Sequence, residues 1–265
     1  MTDNRRQFLK TAVAGAVAAP PARRTIPVAL IQFDAVAEQF DRNLSRMEEL
    51  VADAVGRGAR WVMFHEGTVC DYTPRLEELA EPVPGGRSTD RMAQVSRKNN
   101  CWISFGLSER DRDRFYIAQV FTGPRGFVHR YRKTWIWRDP SDKGYRDEWA
   151  RYDPGTGPEI FEIDGLKATC FICADGDSPR CIQRAAALRP QIVFYPNNRG
   201  GLPAFEAFGA FARTIGAPML VTNRTGMSWM HPCKGGCVVF SATGEVLAKA
   251  NREGREETLL YQLEV

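Results

Sequence analysis

Short, almost uninterrupted apolar runs, separated by amphipathic helical spacing, set the first limit on what this chain can become. Pro27 to Phe33 and Trp61 to Phe64 are of strand length and carry apolar side chains at nearly every position. A strand built from either run has two faces to cover rather than one. Between them Leu44, Met47, Leu50, Val51, Ala54 and Val55 recur at offsets of 3, 6, 7, 10 and 11, which puts them on one side of a helix. Gly56 and Gly58 end it. Strand, crossover helix and second strand make the β-α-β unit of a layered α/β domain.

Further along, the spacing predicts a helix over about 89–99 and strands near 101–107 and 114–121. Gly123-Pro124-Arg125-Gly126 is a turn, so a strand over 127–131 returns antiparallel. Asp164-Gly165 predicts a hairpin between 159–163 and 166–173. Ser178-Pro179 opens a helix to Leu188, with proline at its first position. Gln191 to Tyr195 is a strand, 203–215 a helix ending at Gly216, and 218–222 a strand; two or three more strands fall within 236–264. Crossovers together with hairpins predict mixed sheets covered by helices. No repeat or compositional break divides residues 25–265, which read as one domain.

Composition excludes several classes. Of 265 residues 43% are hydrophobic and 26% charged, which rules out collagen, disorder, a coiled coil and a polytopic membrane protein. The net charge of +4 comes from 36 basic against 32 acidic residues, scattered without a basic stripe, and no nucleic-acid partner is expected. Seven cysteines are an odd number and do not suggest a disulfide framework.

At the start, Arg5-Arg6-Gln7-Phe8-Leu9-Lys10 precedes an Ala- and Val-rich stretch, Thr11 to Ala19. This resembles a twin-arginine export signal. The stretch is shorter than the roughly 20 apolar residues a spanning helix requires, and Ala16-Val17-Ala18 or Pro20-Pro21-Ala22 offers small residues for cleavage. Residues 1–24 are therefore expected to be a signal and linker. That predicts a periplasmic or extracellular protein with no stable membrane anchor after processing.

The chemistry lies where apolar runs end. Trp61-Val62-Met63-Phe64 leads into His65-Glu66, and Ala168 to Ile172 into Cys173-Ala174-Asp175. Phe127 to Tyr131 leads into Arg132-Lys133. In open α/β sheets the carboxyl ends of strands form the ligand crevice. A carboxylate, an ammonium and a thiol meeting there supply a base, an electrophilic stabiliser and a nucleophile.

These residues resemble the nitrilase, or carbon-nitrogen hydrolase, superfamily. The pattern is Phe64-His65-Glu66, Arg132-Lys133 and Ile172-Cys173-Ala174-Asp175, with the lysine 67 positions after the acid and the cysteine 40 positions after the lysine. Glu148 ahead of Tyr152-Asp153-Pro154-Gly155 resembles the family's second glutamate, and Pro218 to Gly226 and Gly235 to Val239 resemble its closing strands. The resemblance implies a four-layer α-β-β-α sandwich with mixed sheets, no cofactor or metal, a homodimer, and a Glu66-Lys133-Cys173 triad assisted by Glu148. It implies hydrolysis of a non-peptide C–N bond in a small amide or N-carbamoyl compound through a cysteine thioester. Nitrile hydrolysis is the alternative, as is a catalytically silent, nitrilase-like interaction module.

His65 stands where the family usually has proline, Ala174 replaces a bulkier residue, and Asp177-Ser178-Pro179-Arg180 replaces a common x-Phe-Pro-Glu. Ala174 and Arg180 are thereby expected to reshape the pocket. Asn197, Asn198 and Arg199 are candidates for polar contacts with substrate, Arg180 or Arg199 for holding a carboxylate, and Trp135 with Trp137 for lining the entrance. Three other chemistries compete. Cys170 to Cys173 is a C-x-x-C, but in a strand an offset of three puts the thiols on opposite faces. His231, Cys233 and Cys237 lack a fourth metal ligand nearby. Acyl transfer to an amine would share the thioester and differ only in the acceptor.

Overall fold

The computed structural model describes residues 24–138, 148–228 and 231–265. The signal segment expected at the amino terminus lies, up to residue 23, outside the described residues.

Two six-stranded sheets form the centre. The first runs β14 (Glu257–Glu264), β1 (Thr25–Gln32), β2 (Trp61–Met63), β3 (Trp102–Asp111), β4 (Arg114–Gly123), β5 (Gly126–Arg132). The second runs β13 (Val246–Lys249), β12 (Val238–Phe240), β9 (Met219–Asn223), β8 (Ile192–Asn197), β7 (Leu166–Cys170), β6 (Phe161–Ile163). In each, three neighbouring strands are parallel, β1-β2-β3 and β7-β8-β9, and antiparallel strands extend the sheet on both sides.

Alternation along β1 shows how the layers are made. Ile26, Val28 and Leu30 join the cluster between the sheets, whereas Ala29 and Ile31 join one with Leu44, Met47 and Val51 of α1 (Phe40–Gly56) and Met92 of α3 (Arg87–Asn99). Between the sheets Trp61 meets Phe194 at 5.7 Å and Phe121 meets it at 5.1 Å between ring centroids. The second sheet's outer face is covered by Ile182 and Ala185 of α5 (Pro179–Ala187) and by Phe208 and Ala212 of α6 (Phe205–Ile215). Four layers result, the α-β-β-α sandwich that the resemblance implied. Full burial of an aromatic or aliphatic side chain contributes roughly 1.5–3 kcal/mol, so Trp61, Phe121 and Phe194 fix the spacing of the two sheets.

Asp164 (φ 53°) and Gly165 (φ 79°) both take the left-handed conformation that the two-residue hairpin between β6 and β7 requires. The strand expected over 166–173 stops at Cys170. Beyond it the Ile172 N–H turns away from the sheet to donate to the Asp175 carboxylate at 2.8 Å, and Cys173–Asp177 forms a 3-10 turn. Three elements lie outside the sequence expectation: the four-residue helices α2 (Leu76–Leu79) and α4 (Glu148–Arg151), too short for periodicity to reveal, and the hairpin of β10 (Thr225–Ser228) with β11 (His231–Lys234). No helix among the described residues is long and apolar enough to cross a membrane.

Candidate active site

Strand alternation decides which base of the Arg130-Tyr131-Arg132-Lys133 run goes inward. Arg130 and Arg132 share one face of β5 and both ion-pair with Glu109, while Tyr131 and Lys133 share the other. Lys133 is fully buried. Its N–H donates to the Ile117 carbonyl and its own carbonyl accepts from Gly155, each at 2.8 Å, which extends the strand pairing past Arg132.

The Lys133 ammonium lies 2.9 Å from Glu66 Oε1 and 2.8 Å from each oxygen of Glu148. Glu66 arrives from the end of β2, where the chain crosses so close to β3 that a Cβ on Gly106 would stand 2.7 Å from the Glu66 Cα. Glu148 begins α4, and its Oε2 accepts the Trp137 N–H at 2.8 Å. Tyr72 closes the group, its hydroxyl 2.8 Å from Glu66 Oε1 and 2.8 Å from Glu148 Oε1. The other oxygen of Glu66, Oε2, is buried and has no hydrogen-bond partner among the described residues.

Burial acts to lower the Lys133 pKa, but Glu148, Glu66 and Cys173 outweigh it and hold the value well above that of an ordinary lysine. The site therefore keeps a charged ammonium. Burial raises Glu148 above the usual carboxylate range, with Lys133 opposing and Glu66 adding to the shift. Cys173 is pushed up to about 12 by burial and by Glu66, against Lys133 and Arg199. At neutral pH it is a thiol and needs a base to become a nucleophile.

Cys173 takes φ 45°, a conformation that side-chain-bearing residues adopt sparingly, and the turn is held from two sides. Asp175 Oδ1 accepts the Thr134 and Trp135 N–H groups at 3.0 and 2.6 Å, and Oδ2 accepts the Tyr131 hydroxyl at 2.7 Å and the Ile172 N–H at 2.8 Å. On the opposite side the Cys173 carbonyl accepts from Tyr195 Oη and Arg199 Nη2, each at 2.8 Å. Cys173 and Ala174 border a cavity of about 290 Å³ whose walls include Tyr72, Trp137, Glu148 and Asn198.

The carbon-nitrogen hydrolase family model matches residues 27–265. The chain belongs to the carbon-nitrogen hydrolase family. Among relatives of this hydrolase-family chain, a nitrilase from Pyrococcus abyssi is 29% identical over 91% of the chain and 90% of that protein. An omega-amidase from Danio rerio is 27% identical over 83% of the chain and 81% of its own length. An amidase of the nitrilase superfamily from Nesterenkonia superimposes with a TM-score of 0.79 at 19% identity, covering 90% of each chain, and so shares the fold.

Within this family member the structure brings Glu66, Lys133 and Glu148 into direct contact, and all three act electrostatically on the Cys173 thiol. Ala174, Asn198 and Arg199 border the cavity. Asn197 is buried beneath it, donating to the Tyr195 carbonyl at 2.8 Å and accepting from Arg199 Nε at 3.0 Å. Arg199 is engaged with Asn197, Cys173, Asp177 and Tyr195. Arg180 is exposed on α5, and the Trp135 side chain is 53% exposed; neither is among the cavity's described walls, which Trp137 does join. Residue spacing missed Tyr72 altogether. It also missed what Asp175 does, although Asp175 stands inside the cysteine motif. The thiols of Cys170 and Cys173 are unpaired.

Proposed function

We propose that this protein hydrolyses the C–N bond of a small amide or N-carbamoyl compound through a thioester on Cys173. The observation that carries the reading is a fully buried ammonium, Lys133, bridging two carboxylates beside a thiol that opens onto a cavity. Glu66 takes the Cys173 proton. The thiolate sulfur bonds to the carbonyl carbon, and the displaced electron pair settles on oxygen. An ammonium has three N–H groups; one directed to Glu66 and one shared by the two oxygens of Glu148 leave the third for the oxyanion. Glu66 returns the proton to the leaving nitrogen as the C–N bond breaks. A water that gives its proton to Glu66 then attacks the thioester, the acid leaves, and Cys173 recovers its proton. Glu148 holds Lys133 throughout.

One observation favours amides over nitriles. Asp71 is an acceptor, so Asn198 must turn its amide N–H toward it, at 2.8 Å. The carbonyl end of Asn198 is left to accept an N–H, which an amide or ureido group has and a nitrile lacks. The cavity volume suits a small substrate. In a Glu-to-Gln mutant of the Nesterenkonia amidase, acrylamide undergoes Michael addition to the active-site cysteine, so the cysteine of that neighbour is a nucleophile, the part proposed here for Cys173.

Ammonia release from a panel of amides, ureas and nitriles is the test, with turnover expected on small amides or ureas and abolished in Cys173→Ala. No reaction across the panel, with Cys173→Ala behaving identically, overturns the reading. Export through the Arg5-Arg6 segment is a separate proposal; fractionation of cells expressing the full chain and an Arg5→Lys/Arg6→Lys variant tests it, with the variant retained inside.

A further inference from the structure

Four polar atoms in the site form a closed ring: Lys133 Nζ, Glu66 Oε1, Tyr72 Oη and Glu148 Oε1. Its four contacts measure 2.9, 2.8, 2.8 and 2.8 Å in that order around the ring. Each short contact between electronegative atoms needs a hydrogen. Lysine supplies two, one toward each carboxylate, and the Tyr72 hydroxyl supplies one. With both glutamates ionised the fourth contact would set two acceptors 2.8 Å apart in a buried site, an arrangement that costs rather than stabilises.

We propose that the resting site holds one additional proton, carried on Glu148 Oε1 and donated to Tyr72 Oη, so that Tyr72 in turn donates to Glu66. The assignment gives every contact of the ring a hydrogen. Glu148 Oε2 remains free to accept from Lys133 and from the Trp137 N–H, and Glu66 Oε1 accepts from Lys133 and from Tyr72. Burial and the neighbouring Glu66 both push Glu148 toward its neutral form.

The charged and titratable groups facing Tyr72 include Glu148, Glu66, Cys173 and Tyr152, and Lys133 faces Glu148. With both carboxylates ionised, one ammonium faces two negative charges, and a thiolate would be a third. With Glu148 neutral, Lys133 and Glu66 balance, and the barrier to ionising Cys173 falls. Tyr72 is thus a positioning residue that keeps one glutamate acidic and the other basic. This consequence for catalysis rests on Glu66 being the base; the proton count does not.

Infrared difference spectroscopy on the resting enzyme at neutral pH tests the proposal without turnover, so it stands apart from the ammonia assay. Subtracting the Glu148→Gln spectrum from that of the full chain is expected to leave the carbonyl stretch of a single protonated carboxyl group, above the carboxylate band. Tyr72→Phe, which removes the proton's acceptor, is expected to shift that band, and serves as the readout should Glu148→Gln not fold. The shift is a signature that lost packing alone would not produce. No such band in the difference spectrum, a band lost in Glu66→Gln but kept in Glu148→Gln, or a band unmoved by Tyr72→Phe overturns it.

Discussion

The carboxylate of Asp175 accepts the backbone N–H of Trp135 at 2.6 Å, which fastens the turn bearing Cys173 to the segment immediately after Lys133. The same carboxylate takes Thr134, Ile172 and Tyr131. Nucleophile and ammonium are therefore registered to one another through a group that need not touch substrate. Asp175→Ala would strand four donors, two of them buried, the Tyr131 hydroxyl and the Ile172 N–H, each buried one costing about 1–3 kcal/mol. Urea denaturation is expected to show a loss of more than about 3 kcal/mol. Asp175→Asn, which keeps the shape but turns an N–H toward donors, is expected to lower kcat by about 10²-fold or more with a small change in KM, since misplacement of catalytic groups by an ångström has that scale.

Removing Lys133 should separate chemistry from binding. Lys133→Met leaves Glu66 and Glu148 without their cation, and a broken buried ion pair costs about 3–5 kcal/mol. Loss of an oxyanion stabiliser costs about 10²–10³ in kcat. Steady-state kinetics on the best amide, alongside denaturation, should show both losses; unchanged kcat would remove Lys133 from the reaction.

Cys173 should be slow to alkylate at neutral pH. With its thiol pushed up to about 12, the thiolate fraction rises about tenfold per pH unit from 7 to 10, instead of levelling near the ordinary thiol value of about 8.5. Mass spectrometry of N-ethylmaleimide labelling at Cys173 measures this. A rate that levels near pH 8 would contradict the buried, base-dependent thiol.

Acid stability should report on His65. Burial, with Arg224 nearby, depresses it to about 3, and burial depresses His129 to about 4. Both stay neutral in the folded chain, whereas the unfolded chain takes up protons below about 6.5. Stability is therefore fully present above pH 6.5 and is lost as the pH falls toward the folded values, by about 1.4 kcal/mol per pH unit for each histidine. Urea midpoints between pH 7 and 4 should show that slope, reduced in His65→Gln.

The parts that could be read from residue order were those with a period. Buried strands, amphipathic helices, the Asp164-Gly165 hairpin and the strand-end positions of Glu66, Lys133 and Cys173 all follow from spacing and turn chemistry. Tyr72 could not be found that way, because it lies in a loop and owes its place to Glu66 and Glu148, the second of them 76 residues away. Asn197 and Arg199 show the converse. Their polarity suggested substrate contact; that of Asn197 goes to the Tyr195 carbonyl and Arg199, and Arg199, which borders the cavity, also holds the Cys173 carbonyl, pairings that only the folded β8 and the nucleophile turn bring together.

Gly106 carries a consequence for how such a protein can diverge. Because any larger side chain there would drive into the backbone at Glu66 and Gly67, the floor beneath the base has no room for inherited variation. Ala174, Trp137 and Leu202 instead line the cavity, where a change of side chain alters its wall. New selectivity can therefore arise by rebuilding the rim, while the proton-handling machinery below it stays unaltered.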